Sequence, residues 1–91
     1  MIMVYYPAIV ERGNGSYGVY FPDLPGCTSA GRTVQEAALA AEDALSGHLT
    51  ALIEHGEEIP APSDPETLGY DPDVEEVARL LIRGQCPEHV V

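Results

Sequence analysis

The sequence predicts a small α+β domain of two layers, one long helix packed on an antiparallel sheet. Residues 4–21 read as two strands around a tight turn, and residues 34–55 repeat apolar side chains at helical spacing behind a capping signal. The length of 91 residues sets the scale. Such a chain buries roughly 60–65% of its unfolded surface, enough for one core between two layers and too little for a second domain.

The first strand is expected over residues 4–10, where β-branched and aromatic side chains surround Pro7. A proline has no N–H to give a ladder, so Pro7 is expected where no ladder donor is needed, at a sheet edge or a strand start. Gly13, Asn14 and Gly15 tolerate positive φ, and Ser16 to Phe21 is again strand-like, which makes residues 4–21 an antiparallel hairpin. Pro22-Asp23-Leu24-Pro25-Gly26 cannot continue a ladder, and Cys27 to Ala30 is expected to resume as a short third strand.

Thr33-Val34-Gln35-Glu36 fits a capping box, with the Thr33 hydroxyl accepting from the Glu36 N–H and the Glu36 carboxylate reaching back to Thr33. Val34, Ala37, Ala38, Ala41, Ala44, Leu45, Leu49, Leu52 and Ile53 then fall on one face. Gly56 suits a left-handed cap, which places the helix at about 34–55. Its inner face is small near the start, so the first turns should approach the sheet closely. Pro60, Pro62, Pro65 and Pro72 argue for an extended connector over 57–73. Residues 74–84 fit either a short capped helix or, over Val77 to Arg83, a final strand. The tail from Cys86 to Val91 carries no clear signal.

Fifteen Asp and Glu against four Lys and Arg give a net charge of −11. The only basic side chains are Arg12, Arg32, Arg79 and Arg83, too few to neutralise a phosphate backbone, so no direct nucleic-acid binding is expected. Nine acids fall within residues 54–76 with no Lys or Arg among them, a segment that would attract a basic protein or simply remain solvated. No apolar run approaches the roughly 18 residues of a membrane span. The start, Met1-Ile2-Met3-Val4, lacks the basic flank of a targeting signal, and a cytoplasmic protein is expected. Cys27 and Cys86 lie outside any CxxC spacing and are read as apolar fillers or exposed thiols, not as a disulfide framework.

Catalytic chemistry finds little support. Glu11 sits at a hairpin end, Asp23 in a turn, and Glu36, Glu42 and Asp43 on the helix, so no acids converge from strand centres to hold a metal. His48 and His55 are seven apart, unlike the three or four spacing of helical metal ligands. Ser16, Ser29, Ser46, Ser63 and Cys27 lie in no nucleophile motif. No enzyme and no cofactor are expected.

The runs Tyr6 to Glu11, Tyr17 to Cys27 with its Phe21-Pro22-Asp23-Leu24-Pro25-Gly26-Cys27, and Ala30 to Ala37 with Thr33 and Glu36, followed after a long helix by Gly56 to Ser63, resemble the HicB-like antitoxin family. The resemblance covers residues 4–63. It implies a β-β-β-α-β domain, a partial ribonuclease-H-like fold without catalytic carboxylates, and so favours a strand at 77–83. It also implies a partner, a small basic HicA-like toxin that cleaves mRNA and is neutralised when its active site is covered. Homodimers or higher oligomers are a further implication. Longer members append an operator-binding domain, whereas 28 residues follow Ser63 here, and no separate DNA-binding domain is expected within residues 1–91.

The expected function is therefore an antitoxin-like binding protein; the alternative is an orphan homo-oligomeric domain whose exposed strand edge pairs with itself. Candidate contacts are Asp23, Leu24 and Pro25 of the turn and Glu54, Glu57 and Glu58 at the helix end. Phe21, Pro22, Gly26, Cys27, Thr33, Glu36 and Gly56 are expected to build the frame.

Overall fold

The computed structural model describes residues 1–87; the last part of the tail considered above, residues 88–91, lies outside the described residues. Four strands and one helix follow in the order β1 (Ile2–Arg12), β2 (Tyr17–Tyr20), β3 (Thr28–Gly31), α1 (Val34–Glu54) and β4 (Glu76–Cys86). The sheet is antiparallel throughout, in the order β3-β2-β1-β4. The ambiguous segment near residue 77 is thus a strand, and it is longer than expected: its pairing along β1 runs from Ile2 opposite Cys86 to Glu11 opposite Glu76.

Pro7 departs from expectation. It lies well inside β1, itself an inner strand, and stands opposite Leu81 of β4. The sheet tolerates it because β2 pairs only with Ile9 to Arg12, leaving the β2 side of residue 7 open. Backbone direction agrees: the Arg12 N–H donates toward β4, to Glu75 O at 2.9 Å, and the Gly13 N–H donates across the hairpin, to Ser16 O at 2.8 Å. Successive amides of a strand alternate in direction, so odd residues of β1 face β2 and the missing donor of Pro7 falls where no acceptor waits.

The even-numbered side chains of β1 form the inner face. Tyr6, Ala8 and Val10 are fully buried with Val19 of β2 and Ile82 of β4, against Ala37, Ala41, Leu45 and Leu49 of α1. The helix starts as predicted, with the Thr33 hydroxyl accepting from the Glu36 N–H at 3.0 Å. It ends in a Schellman motif: the Gly56 N–H reaches Ile53 O at 3.0 Å, the Glu57 N–H reaches Leu52 O at 2.8 Å, and Gly56 has φ of 69°.

The small first turns do approach the sheet closely. A Cβ on Gly31 of β3 would lie 2.5 Å from the Ala37 nitrogen, and one on Gly84 of β4 would lie 2.7 Å from Leu45. Two side-chain bonds tie α1 to the outer strands, Ser29 Oγ to Ala37 O at 2.9 Å and the Gln85 N–H to Ser46 Oγ at 3.0 Å. The connector has more structure than expected, a 3₁₀ turn at Pro65–Thr67 capped by the Asp64 side chain.

Gly31→Ala is predicted to destabilise the fold by about 1–3 kcal/mol, because its neighbour is helix backbone that cannot give way. Gly47→Ala, where a Cβ meets nothing within 4 Å on the exposed side of α1, is predicted to stabilise by about 0.5–1 kcal/mol. Urea unfolding of both variants checks the pair; equal midpoints would contradict the close approach.

Candidate partner-binding cleft

The turn between β2 and β3 is held by its own backbone. The Leu24 N–H donates to Phe21 O and the Cys27 N–H to Leu24 O, each at 3.0 Å, with Gly26 at φ of 90°. This winding turns Leu24 inward to 1% exposure and leaves Pro22 and Pro25 outside. Phe21 and Cys27 join the core beside it. Cys27 Sγ points at Ala44 O, 3.6 Å away, and burial pushes its thiol up to about 11.

The segment leaving α1 is laced to this turn. Ile59 is buried, and the Tyr6 hydroxyl donates to Pro60 O at 2.5 Å. The Asp23 carboxylate accepts from the Ser63 N–H at 2.8 Å and from the Ser63 hydroxyl at 2.5 Å. Burial, with smaller contributions from Cys86 and Asp23, pushes the Tyr6 hydroxyl up to about 12.

Between turn, helix end and returning segment lies an open cleft of about 580 Å³, lined by Asp23, Leu24, Pro25, His48, Leu52, Glu57, Glu58 and Pro60. Its walls mix exposed carboxylates with apolar surface. Five of the six residues selected from sequence line it; Glu54 is exposed on the last helical turn and is not part of the lining. Asp23 and Leu24 take particular places: the carboxylate clasps two chain segments, and the leucine is cleft floor and core at once. His48 was missed as a lining residue, because its partners come from other elements and nothing in the helical period marks that face.

A second arrangement was also missed. The Arg79 guanidinium, on the outer face of the sheet, pairs with Glu76 through Nε at 2.8 Å and Nη2 at 3.2 Å. It also donates to Pro65 O at 2.8 Å, Leu68 O at 2.7 Å and Gly69 O at 3.0 Å, and lies 4.5 Å from the Tyr70 ring centre. One side chain thereby fastens residues 65–70. The signal was a lone charge within the apolar run from Val77 to Ile82. The Glu76 bond raises the Arg79 pKa further and keeps the clamp charged.

The other ion pairs among the described residues are loose and exposed, Arg12 to Glu75 at 3.5 Å and Arg83 to Glu42 at 3.8 Å. Among the described residues, no group of three or more His, Cys, Asp or Glu side chains is placed to hold a metal ion, and no helix is long and apolar enough to cross a membrane. The cleft's own lining offers contact chemistry: acceptors for cationic groups at Asp23, Glu57 and Glu58 and shallow apolar seats at Leu52, Pro25 and Pro60.

Residues 6–86 match the family model described as HicB_like antitoxin of bacterial toxin-antitoxin system. Among curated proteins, the chain is 47% identical over 55 residues to an uncharacterized 14.9 kDa protein of Haemophilus phage HP1, covering 60% of this chain and 41% of that one. It is 38% identical over 58 residues to antitoxin HicB 2 of Photorhabdus laumondii, covering 64% and 42%. The matched region thus spans about two fifths of the length of these two relatives.

Among solved structures, the N-terminal domain of the Burkholderia pseudomallei antitoxin HicB is similar with a TM-score of 0.72 and 32% identity, over 87% of this chain and 95% of that one. A chain of the HicA3 and HicB3 toxin-antitoxin complex is similar with a TM-score of 0.69 and 30% identity, over 93% and 100%. These neighbours share the α+β arrangement of four antiparallel strands and one long helix.

The two raised pKa values around the turn predict an alkaline limit to stability. The fold favours the protonated form of each group, so each contribution is complete below the unfolded value and is lost as pH rises through the folded one. For Cys27 that window runs from 9.0 to about 11, and for Tyr6 from 10.0 to about 12. Thermal midpoints recorded against pH should fall from about pH 9 upward, and Cys27→Ala should flatten the first part of the fall. An identical slope in the variant would remove Cys27 from the account.

Proposed function

The chain belongs to the HicB-like antitoxin family, and we propose that it neutralises a small basic, mRNA-cleaving toxin of the HicA type by covering that toxin's active site. The observation that carries the proposal is the cleft beside the Pro22–Cys27 turn, where Glu57, Glu58 and Asp23 surround apolar seats at Leu52, Pro25 and Pro60. A basic partner would be steered by the net charge of −11 and seated by these walls. The similarity to a chain of the HicA3 and HicB3 complex supports the same kind of partner.

In this reading the chain is a cytoplasmic binding protein without catalytic activity or cofactor, and it makes no direct contact with nucleic acid. Arg79, one of its four arginines, is already committed to Glu76 and to three backbone carbonyls. Asp23 would act by holding the cleft in shape, and Glu57 and Glu58 would meet the partner's cations directly. The second reading is an orphan homo-oligomeric domain, favoured by the open outer edge of β4.

Co-expression with each adjacent small basic reading frame tests the proposal. A neighbour that arrests growth alone, is harmless beside this chain and co-purifies with it is the expected result. Glu57→Lys with Glu58→Lys should slow association about tenfold or more at low salt, and added salt should slow the unaltered pair in the same direction. Stopped-flow association rates supply the check. A toxic, co-purifying neighbour whose rate ignores both changes would place the contact outside the cleft, and no toxic or binding neighbour would leave the orphan reading.

A further inference from the structure

Two of the four arginines are brought together at the end of the sheet where α1 begins. Arg12 stands opposite Tyr17 of β2, and Tyr17 stands opposite Gly31 of β3, so one row crosses the last rung of three strands. Arg32 follows Gly31, and Thr33 caps the helix immediately after it. Beside this row an open recess of about 330 Å³ is lined by Arg12, Gly13, Gly15, Ser16, Tyr17 and Arg32.

The two guanidiniums are held differently. Arg12 is steadied on two sides: Nη1 donates to the Tyr17 hydroxyl at 3.1 Å, and Nε lies 3.5 Å from the Glu75 carboxylate. Its guanidinium carbon is 5.3 Å from the Tyr17 ring centre. Among the described residues, Nη2 of Arg12 has no partner, and Arg32 forms neither an ion pair nor a side-chain hydrogen bond. Both side chains are exposed. Like charges repel, and a chain with 15 Asp and Glu against 4 Lys and Arg offers Arg32 many better neighbours than a second arginine. The N-terminal end of the α1 dipole adds to the same positive potential. An anion seated between the two guanidiniums removes the conflict.

The donors select the kind of anion. A carboxylate is satisfied by one guanidinium fork. Two forks from different parts of the chain, with the Ser16 hydroxyl as a further donor, suit a group with more acceptor oxygens and more charge, which is the chemistry of phosphate. The Tyr17 ring is already taken by Arg12 and offers no platform to a base, so the phosphate itself is the part that is read. Two arginines cannot neutralise a run of phosphates, and the fit is to a single group.

We propose that this recess is an oxyanion site that takes one doubly charged phosphate group, free or at the end of a small phosphate monoester, bridged between Arg12 of β1 and Arg32 ahead of α1. Occupancy ties the hairpin to the start of the helix. The site lies at the opposite end of α1 from the cleft, to which the helix contributes His48 and Leu52, and it is independent of whether a toxin binds there.

Titration of inorganic phosphate into the full chain, followed by phosphorus-31 NMR at about pH 8, where the second proton of a phosphate is gone, tests the assignment. Chloride holds the ionic strength constant, so screening of the net charge of −11 does not change during the titration. Saturable binding of one phosphate per chain is expected, and Arg32→Gln should weaken it about tenfold or more. The Arg32 side chain makes no bond that the fold uses, so this variant should keep the circular dichroism spectrum of the unaltered chain. Arg83→Gln, whose arginine lies outside the recess, should bind as the unaltered chain does. Phosphate should also raise the thermal midpoint of the unaltered chain and of Arg83→Gln, and leave that of Arg32→Gln where it was. Adenosine 5′-monophosphate separates the sources: tighter binding than inorganic phosphate assigns the site to a monoester, and equal or weaker binding to the free ion. No binding of either probe overturns the proposal, as does binding that Arg32→Gln leaves unchanged or that Arg83→Gln weakens equally.

Discussion

The seating of one helix across a four-stranded sheet governs this structure. α1 covers the inner face of the sheet through Ala37, Ala41, Leu45 and Leu49, while Pro7 and Ile9 are buried on the outer face as well. The approach is so close that β3 and β4 each need a glycine beneath it, Gly31 and Gly84. Once that distance is set, the rest has little freedom. The cap at Thr33 fixes where the helix enters, Gly56 fixes where it leaves, and the chain that follows must return past Tyr6 and Asp23 to reach the far edge.

The acids that dominate the composition divide between two kinds of work. Asp64 and Asp71 accept from the N–H of Glu66 and Asp73 and so wind local turns. Glu76 completes the Arg79 clamp, and Asp23 clasps Ser63. These carboxylates trade hydration for specific bonds. Glu57 and Glu58 stay in water at the rim of the cleft, where their charge remains available to whatever approaches.

Most of the fold was legible because each local signal agreed with the global one. Gly15 of the hairpin, the Thr33 half of the capping box and the glycine cap acted where the sequence placed them, since each depends on backbone geometry within a few residues; the return bond from the Glu36 carboxylate does not form. Three matters escaped. The identity of β4 was open because its stripe of Val77, Ala78 and Leu81 fits two periods, and only pairing with β1 decides between them. Pro7 was misplaced because its tolerance depends on how far β2 extends. Leu24 and Arg79 look like surface residues in a turn and a strand, yet one fills the core and the other pins a loop 10 to 14 residues away. The candidate cleft was legible as a set of residues and not as a shape, because the clasp between residues 23 and 63 is invisible to any local pattern.

That clasp also bears on the order of events during synthesis. The walls of the cleft are joined across 40 residues by Asp23 and Ser63, and across 54 by Tyr6 and Pro60. A chain still emerging from the ribosome can complete its hairpin and most of its helix, yet it has no cleft until residue 63 is free to fold back. Loss of the same few bonds in the finished protein would open the cleft while leaving the ladder between β1 and β4 intact. The clasp thus forms after the hairpin and the helix and before the ladder of β1 with β4, whose residues 76–86 emerge later still.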